Sequence, residues 1–154
     1  GSTLSFSDVT QLCFKVVNME WMKKSIRLVI YSEQYVIRTV LKDDVRKVPN
    51  IEIVAVCSKE EDLIIFLGKN DADFVLAGLS DTRLIAICNE MSARYLVVNF
   101  LLISNDSEQG KYDLKILSDG VYEAHRTTTM EEIIEKIKVI HYKKWLIDYS
   151  LFVE

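Results

Sequence analysis

Apolar and polar positions follow two rhythms along this chain. Ala72-Asp73-Phe74-Val75-Leu76-Ala77-Gly78-Leu79 is a short, almost continuously apolar run closed by a glycine, the pattern of a strand buried on both faces. Comparable runs lie at 27–31, 51–56 and 95–103, with a shorter one at 121–124. Between them apolar residues recur at helical spacing. Val36, Ile37, Val40, Leu41 and Val48 mark a helix that stops before Pro49-Asn50. Leu63, Ile64 and Leu67 mark a second over 59–69, with Ser58 as its cap, and Leu84, Ile85, Cys88 and Met91 a third over 81–92. A short helix is expected over 113–117, after which Gly120 turns the chain. Ile133, Ile134, Ile137 and Ile140 mark the last helix; Thr127 to Thr129 offer its caps, and Glu131 and Glu132 lie in its first turn, where the helix dipole favours them.

Strands alternating with helices predict right-handed βαβ units, hence an α/β fold with a doubly wound, five-stranded parallel sheet of order 2-1-3-4-5 between two helix layers. In such sheets ligands gather just past the carboxyl ends of the strands. The central strand ends in Gly78, Leu79 and Ser80, with no acid, histidine or cysteine at its tip.

Two segments flank this domain at 25–141. Residues 1–24 carry Val9, Leu12, Cys13, Val16, Val17 and Met22 at helical spacing behind Ser7 and Asp8, and read as a helical extension; Gly1-Ser2 reads as a cloning remnant. Residues 142–154 form an apolar tail with Trp145, Leu146, Ile147, Tyr149, Leu151 and Phe152. It packs back on the domain, leads to another domain, or forms a contact surface.

Composition then narrows the chemistry. A chain of 154 residues with 49% hydrophobic content can build a core without disulfides. Cys13, Cys57 and Cys88 stand apart in apolar surroundings and read as buried thiols. A formal charge of -4, with Lys143-Lys144 as the nearest approach to a basic block, disfavours nucleic acid. No apolar run reaches membrane-spanning length and no signal peptide is recognisable, so a cytoplasmic protein is expected. No glycine-rich phosphate loop occurs. His125 and His141 have no Ser or Cys partner at a catalytic spacing and fall in no metal-binding pattern; Asp43-Asp44 reads as a solvated helix face. Neither enzyme activity nor a cofactor or metal is expected.

The order of these elements over 26–140 resembles a receiver domain, the flavodoxin-like phospho-acceptor module of two-component response regulators. The matching stretches are Arg27-Leu28-Val29-Ile30-Tyr31-Ser32-Glu33, 51–67, Ala72 to Leu79, Phe100-Leu101-Leu102-Ile103-Ser104, and Asp119-Gly120-Val121-Tyr122-Glu123-Ala124-His125. The resemblance implies paired acids that hold magnesium, an Asp that accepts the phosphoryl group and a Lys that neutralises it. Here Tyr31 and Ser32 stand at the paired acids, Gly78 at the acceptor and His125 at the Lys. Glu33 alone makes a poor magnesium site, Asp73 starts its strand on the wrong rim, and Asp81 caps the following helix. Ser104 matches the hydroxyl that reads the phosphoryl group and Tyr122 the switch aromatic.

The chain therefore resembles a degenerate receiver, a regulatory module that works by binding protein without phosphorylation. Receivers pair through the fourth helix, fifth strand and fifth helix, which implies a face over 113–140. Leu117, Tyr122, Ile134 and Lys138 are candidate contacts there, and Trp145 and Phe152 in the tail. A symmetric homodimer is favoured. Such degenerate receivers resemble the N-terminal domains of tight-adherence pilus localisation ATPases, and also the sensing halves of atypical transcription regulators. A competing reading makes Tyr31, Ser32, Gly78, Ser104 and His125 the lining of a small-ligand sensor. A third places phosphorylation at a displaced Asp.

Overall fold

The computed structural model describes Ser5, Asp8, residues 25–105, 114–125, 130–137 and Val139. The chain divides into two compact units: Gly1–Ser25 with Ile134–Glu154, and Ile26–Ile133. The helix expected over 6–24 and the apolar tail over 142–154, with Cys13, Lys138, His141, Trp145 and Phe152, lie outside the described residues, apart from Asp8.

The larger unit is built on one six-stranded sheet of order β2-β1-β3-β4-β6-β5. Its strands are β1 (Ile26–Tyr31), β2 (Ile51–Cys57), β3 (Phe74–Gly78), β4 (Asn99–Ser104), β5 (Leu114–Ser118) and β6 (Val121–His125). All neighbours pair in parallel except β5 with β6. Every residue of β3 is buried, as its uninterrupted apolar run requires of a strand covered on both sides. The helices are α1 (Tyr35–Arg46), α2 (Glu60–Lys69), α3 (Thr82–Arg94) and α4 over 130–137. No helix among the described residues is long and apolar enough to cross a membrane.

Strand alternation sorts the core into two layers. Val29, Tyr31, Val75, Ala77, Phe100, Leu102 and Val121 pack with Leu63 and Leu67 of α2 and with Leu84, Cys88 and Met91 of α3. The residues between them, among them Leu28, Ile30, Leu76 and Leu101, are buried on the opposite face, where α1 lies on β1 and β3 and contributes Leu41 and Val45. Asp81 caps α3 as expected, its Oδ1 accepting the Leu84 N–H at 2.7 Å. The N-cap of α2 is Lys59, with no side-chain bond, so Ser58 is not the cap. Glu60, Glu61 and Asp62 supply the favourable charge in that first turn instead.

Two expectations need correction. The stretch predicted as a helix over 113–117 contains strand β5, because Ser118-Asp119-Gly120-Val121 is a tight turn with Gly120 at φ 78° and sends the chain back antiparallel along β6. What was expected as the fifth strand is thus the sixth, and the chain passes from β4 to β6 through an edge strand. The predicted 95–103 strand is also too long. Tyr95 closes α3 through its N–H to the Met91 carbonyl, and pairing begins only where Asn99 meets Phe74, the first residue of β3. Residues 95–98 have no strand beside them to pair with.

Candidate functional site

The carboxyl ends of β1, β3, β4 and β6 form the rim at which the sequence places its candidates. Ser32, just past β1, is 2% exposed. Its N–H donates to the Cys57 carbonyl at 3.2 Å, its carbonyl accepts from Arg38 Nη1 at 2.6 Å, and its Oγ accepts the Gln34 N–H at 3.2 Å. Ser32 thereby folds the turn into α1, the local side-chain to backbone bonding that serine favours. Glu33 is held by Arg83 Nη1 at 2.8 Å across the rim.

Gly78 closes β3 beneath the first turns of α1. A side chain there would place its Cβ 3.2 Å from Ile37 Cγ2 and 3.4 Å from Leu41 Cδ1. A side chain at Gly78 would therefore meet two apolar side chains of α1. Beyond it, the Ser80 N–H donates to the Ile103 carbonyl at 2.8 Å and its hydroxyl donates to Glu123 Oε2 at 2.5 Å. These bonds tie the exit of β3 to β4 and β6. Glu123 also faces Lys115 across the β5–β6 pair. Sequence reasoning missed Ser80, Glu123 and Arg83; the available signal was a carboxylate in the middle of an otherwise apolar strand.

Tyr31, Ser32, Glu33, Gly78, Arg83 and Ile87 help line a cleft of about 80 Å³, which also takes in Gln34, Leu79, Asp81 and Leu84. Ligand pockets for drug-sized molecules run to roughly 300–1,000 Å³, so this one admits only a small group. Ser104 and His125 face each other in register on β4 and β6 and are not part of its lining. The five predicted rim residues are thus divided between two places. Tyr122 is separated from Ser104 as well. Register puts Ser104 on the face of Phe100 and Leu102 and Tyr122 on the other, where it is 5% exposed.

Of the predicted contact residues, Tyr122 and Ile134 are buried, 5% and 3% exposed, and Leu117 is half-buried against the core. The 113–140 stretch is therefore not the helix–strand–helix face that the resemblance implied. Asp73 accepts the Arg27 N–H at 2.8 Å at the opposite end of the sheet, and exposed Asp43 lies 3.6 Å from Arg46 on α1.

Burial dominates the electrostatics. It pushes the Tyr31 phenol up to about 12, with Glu33 and Glu60 adding to the effect. Burial pushes the Cys88 thiol up to about 12, and raises Cys57 with help from Asp62. Cys57 and Cys88 are free and buried, as expected. Among the described residues no three His, Cys, Asp or Glu side chains group so as to hold a metal.

Comparison with known proteins adds the fold. A response regulator RcsB–DNA complex superposes with a TM-score of 0.55 at 8% identity, covering 77% of this chain and 61% of that one. RcsB from Salmonella enterica serovar Typhimurium, bound to promoter rprA in the presence of phosphomimetic BeF3-, gives 0.53 at 9% identity, covering 79% and 61%. The fold is receiver-like. The isolated REC domain of RcsB from the same organism gives 0.48 at 12% identity, covering 55% of this chain and 65% of that one. This chain therefore spans less than two thirds of each of these proteins. No family model matches the chain, and no curated protein does.

Proposed function

We propose that this chain is a non-catalytic, phosphorylation-independent receiver-like regulatory module, cytoplasmic, that acts by binding protein, with a homodimer as the favoured assembly. The observation that carries the reading is the closure of Gly78 by Ile37 and Leu41 at the position of the phospho-acceptor. The carboxylate best placed to hold a cation, Glu33, is engaged by Arg83, which weakens the third reading of a displaced acceptor. Asp81 is likewise occupied as the cap of α3. Two of the RcsB neighbours are DNA complexes. A net charge of -4 supports protein rather than DNA as the partner of this chain.

Light scattering across a concentration series, with and without acetyl phosphate and magnesium, tests the proposal. It predicts a mass that rises toward a dimer along the same curve in both conditions. A monomer throughout removes the homodimer, and a curve displaced by acetyl phosphate contradicts independence from phosphorylation. A second reading, a small-ligand sensor at the rim, is supported by the cleft beside Tyr31. Ser104 and His125 fall outside that cleft, so the ligand reading rests on Tyr31, Ser32 and Gly78 with Glu33, Asp81 and Arg83.

A further inference from the structure

The rim cleft contains a polar group that the fold does not satisfy. Tyr31 is 1% exposed and lines the cleft, and its phenol has no hydrogen bond to a described residue. No sealed polar side-chain atom among the described residues lacks a partner, so the hydroxyl is where Tyr31 keeps its small opening to the cleft. The hydroxyl is thus a donor and acceptor left to whatever enters the cleft.

Charge and size select the ligand. The cleft is lined by the carboxylates of Glu33 and Asp81 against the single guanidinium of Arg83. The carboxylates of Glu33 and Glu60 also act on the Tyr31 phenol in the sense of negative potential. An anion would meet that field unfavourably. A divalent cation wants six or more oxygen ligands, and here Glu33 is already bonded to Arg83 and Asp81 to the Leu84 N–H. A singly charged donor group needs only acceptors, which the phenol oxygen and the remaining carboxylate lone pairs provide. The exposed Glu33–Arg83 pair is weak enough to share an oxygen. Leu84 and Ile87 supply an apolar wall for an attached carbon, and about 80 Å³ limits the occupant to a few heavy atoms.

We propose that this cleft is a subsite for a primary ammonium group, held by the Tyr31 hydroxyl and the Glu33 and Asp81 carboxylates. The group is either a free small amine or the end of a partner's lysine side chain. The inference rests on the ligand reading above and is independent of the dimer.

Thermal unfolding tests it, since a ligand that binds only the folded chain raises Tm. The probes are methylammonium chloride and Nα-acetyl-lysine amide, against sodium chloride, magnesium chloride and sodium sulfate at equal ionic strength. Methylammonium is expected to raise Tm by a few degrees over sodium. Tyr31→Phe and the exposed substitution Glu33→Gln should each lose at least half of that gain, measured against their own sodium baselines. A lysine derivative acting at lower concentration than methylammonium identifies a partner's side chain as the source; the reverse identifies a free amine. An equal gain in Tyr31→Phe overturns the proposal. Stabilisation by sulfate or magnesium alone overturns the ammonium assignment and keeps a rim ligand. No gain from any probe removes both.

Discussion

Gly78 is where the chemistry of the rim is decided. A methyl at 3.2 Å from Ile37 Cγ2 requires that helix side chain to give by a few tenths of an ångström, a small adjustment. Gly78→Asp adds a carboxylate facing two apolar side chains, so it should destabilise more than Gly78→Ala and should not restore phosphorylation; urea midpoints and intact mass check both points. Tyr31 and Cys88 define a second residue-scale prediction. Both are raised to about 12 by burial, from 10.0 and 9.0. The folded chain keeps them neutral while the unfolded chain releases their protons from about pH 9 upward, so stability is full below that pH and falls as pH rises toward 12. Tyr31 alone accounts for about 2–3 kcal/mol by the upper limit. Denaturation midpoints between pH 8 and 11 should decline in the native chain and decline less in Tyr31→Phe. The rim residues Tyr31, Ser32 and Gly78 were legible in the sequence as strand ends. What covers Gly78 was not, because it depends on which turn of α1 lies over the tip of β3. The bond of Ser80 to Glu123 joins residues 43 apart in the chain, and no local pattern points to it.

At the scale of elements, the strands with partners on both sides and the amphipathic helices were readable from period alone. The errors fall where pairing decides structure. Leu96 and Val97 are apolar and β-branched or branched, yet each is 82% exposed, because β3 offers no backbone beside them. The helix expected over 113–117 rests on five residues, which carry too little periodicity, whereas Asp119-Gly120 is the hairpin signal. Gly120 at φ 78° should tolerate Asn better than Ala, with Gly120→Ala costing about 1–2 kcal/mol in thermal or urea unfolding. Both edge strands skip a residue in register, β2 at Val54 and β5 at Leu117. Bulges at sheet edges hinder further strands from adding, so assembly through side-chain surfaces is favoured over sheet extension.

For the molecule as a whole, the sheet of Ile26–Ile133 carries the receiver-like fold. The core depends on Val75, Leu76 and their neighbours in β3, which are buried, whereas Glu33 on the rim is exposed and lies outside it. Leu76→Ala should therefore cost about 2–5 kcal/mol, while Glu33→Gln changes stability little; the two urea curves make the comparison. On the α3 side, where the resemblance placed another helix, the sheet carries polar groups instead: Lys115 opposite Glu123, Glu123 bonded to Ser80, and Ser118 donating to Asn89 Oδ1 at 2.6 Å. The central claim is a module whose acceptor site is closed, and the most direct test is the intact mass of the full chain after incubation with acetyl phosphate and magnesium, read beside a receiver domain known to be modified. An unchanged mass beside a modified control is the predicted result; addition of one phosphoryl group to this chain would contradict it.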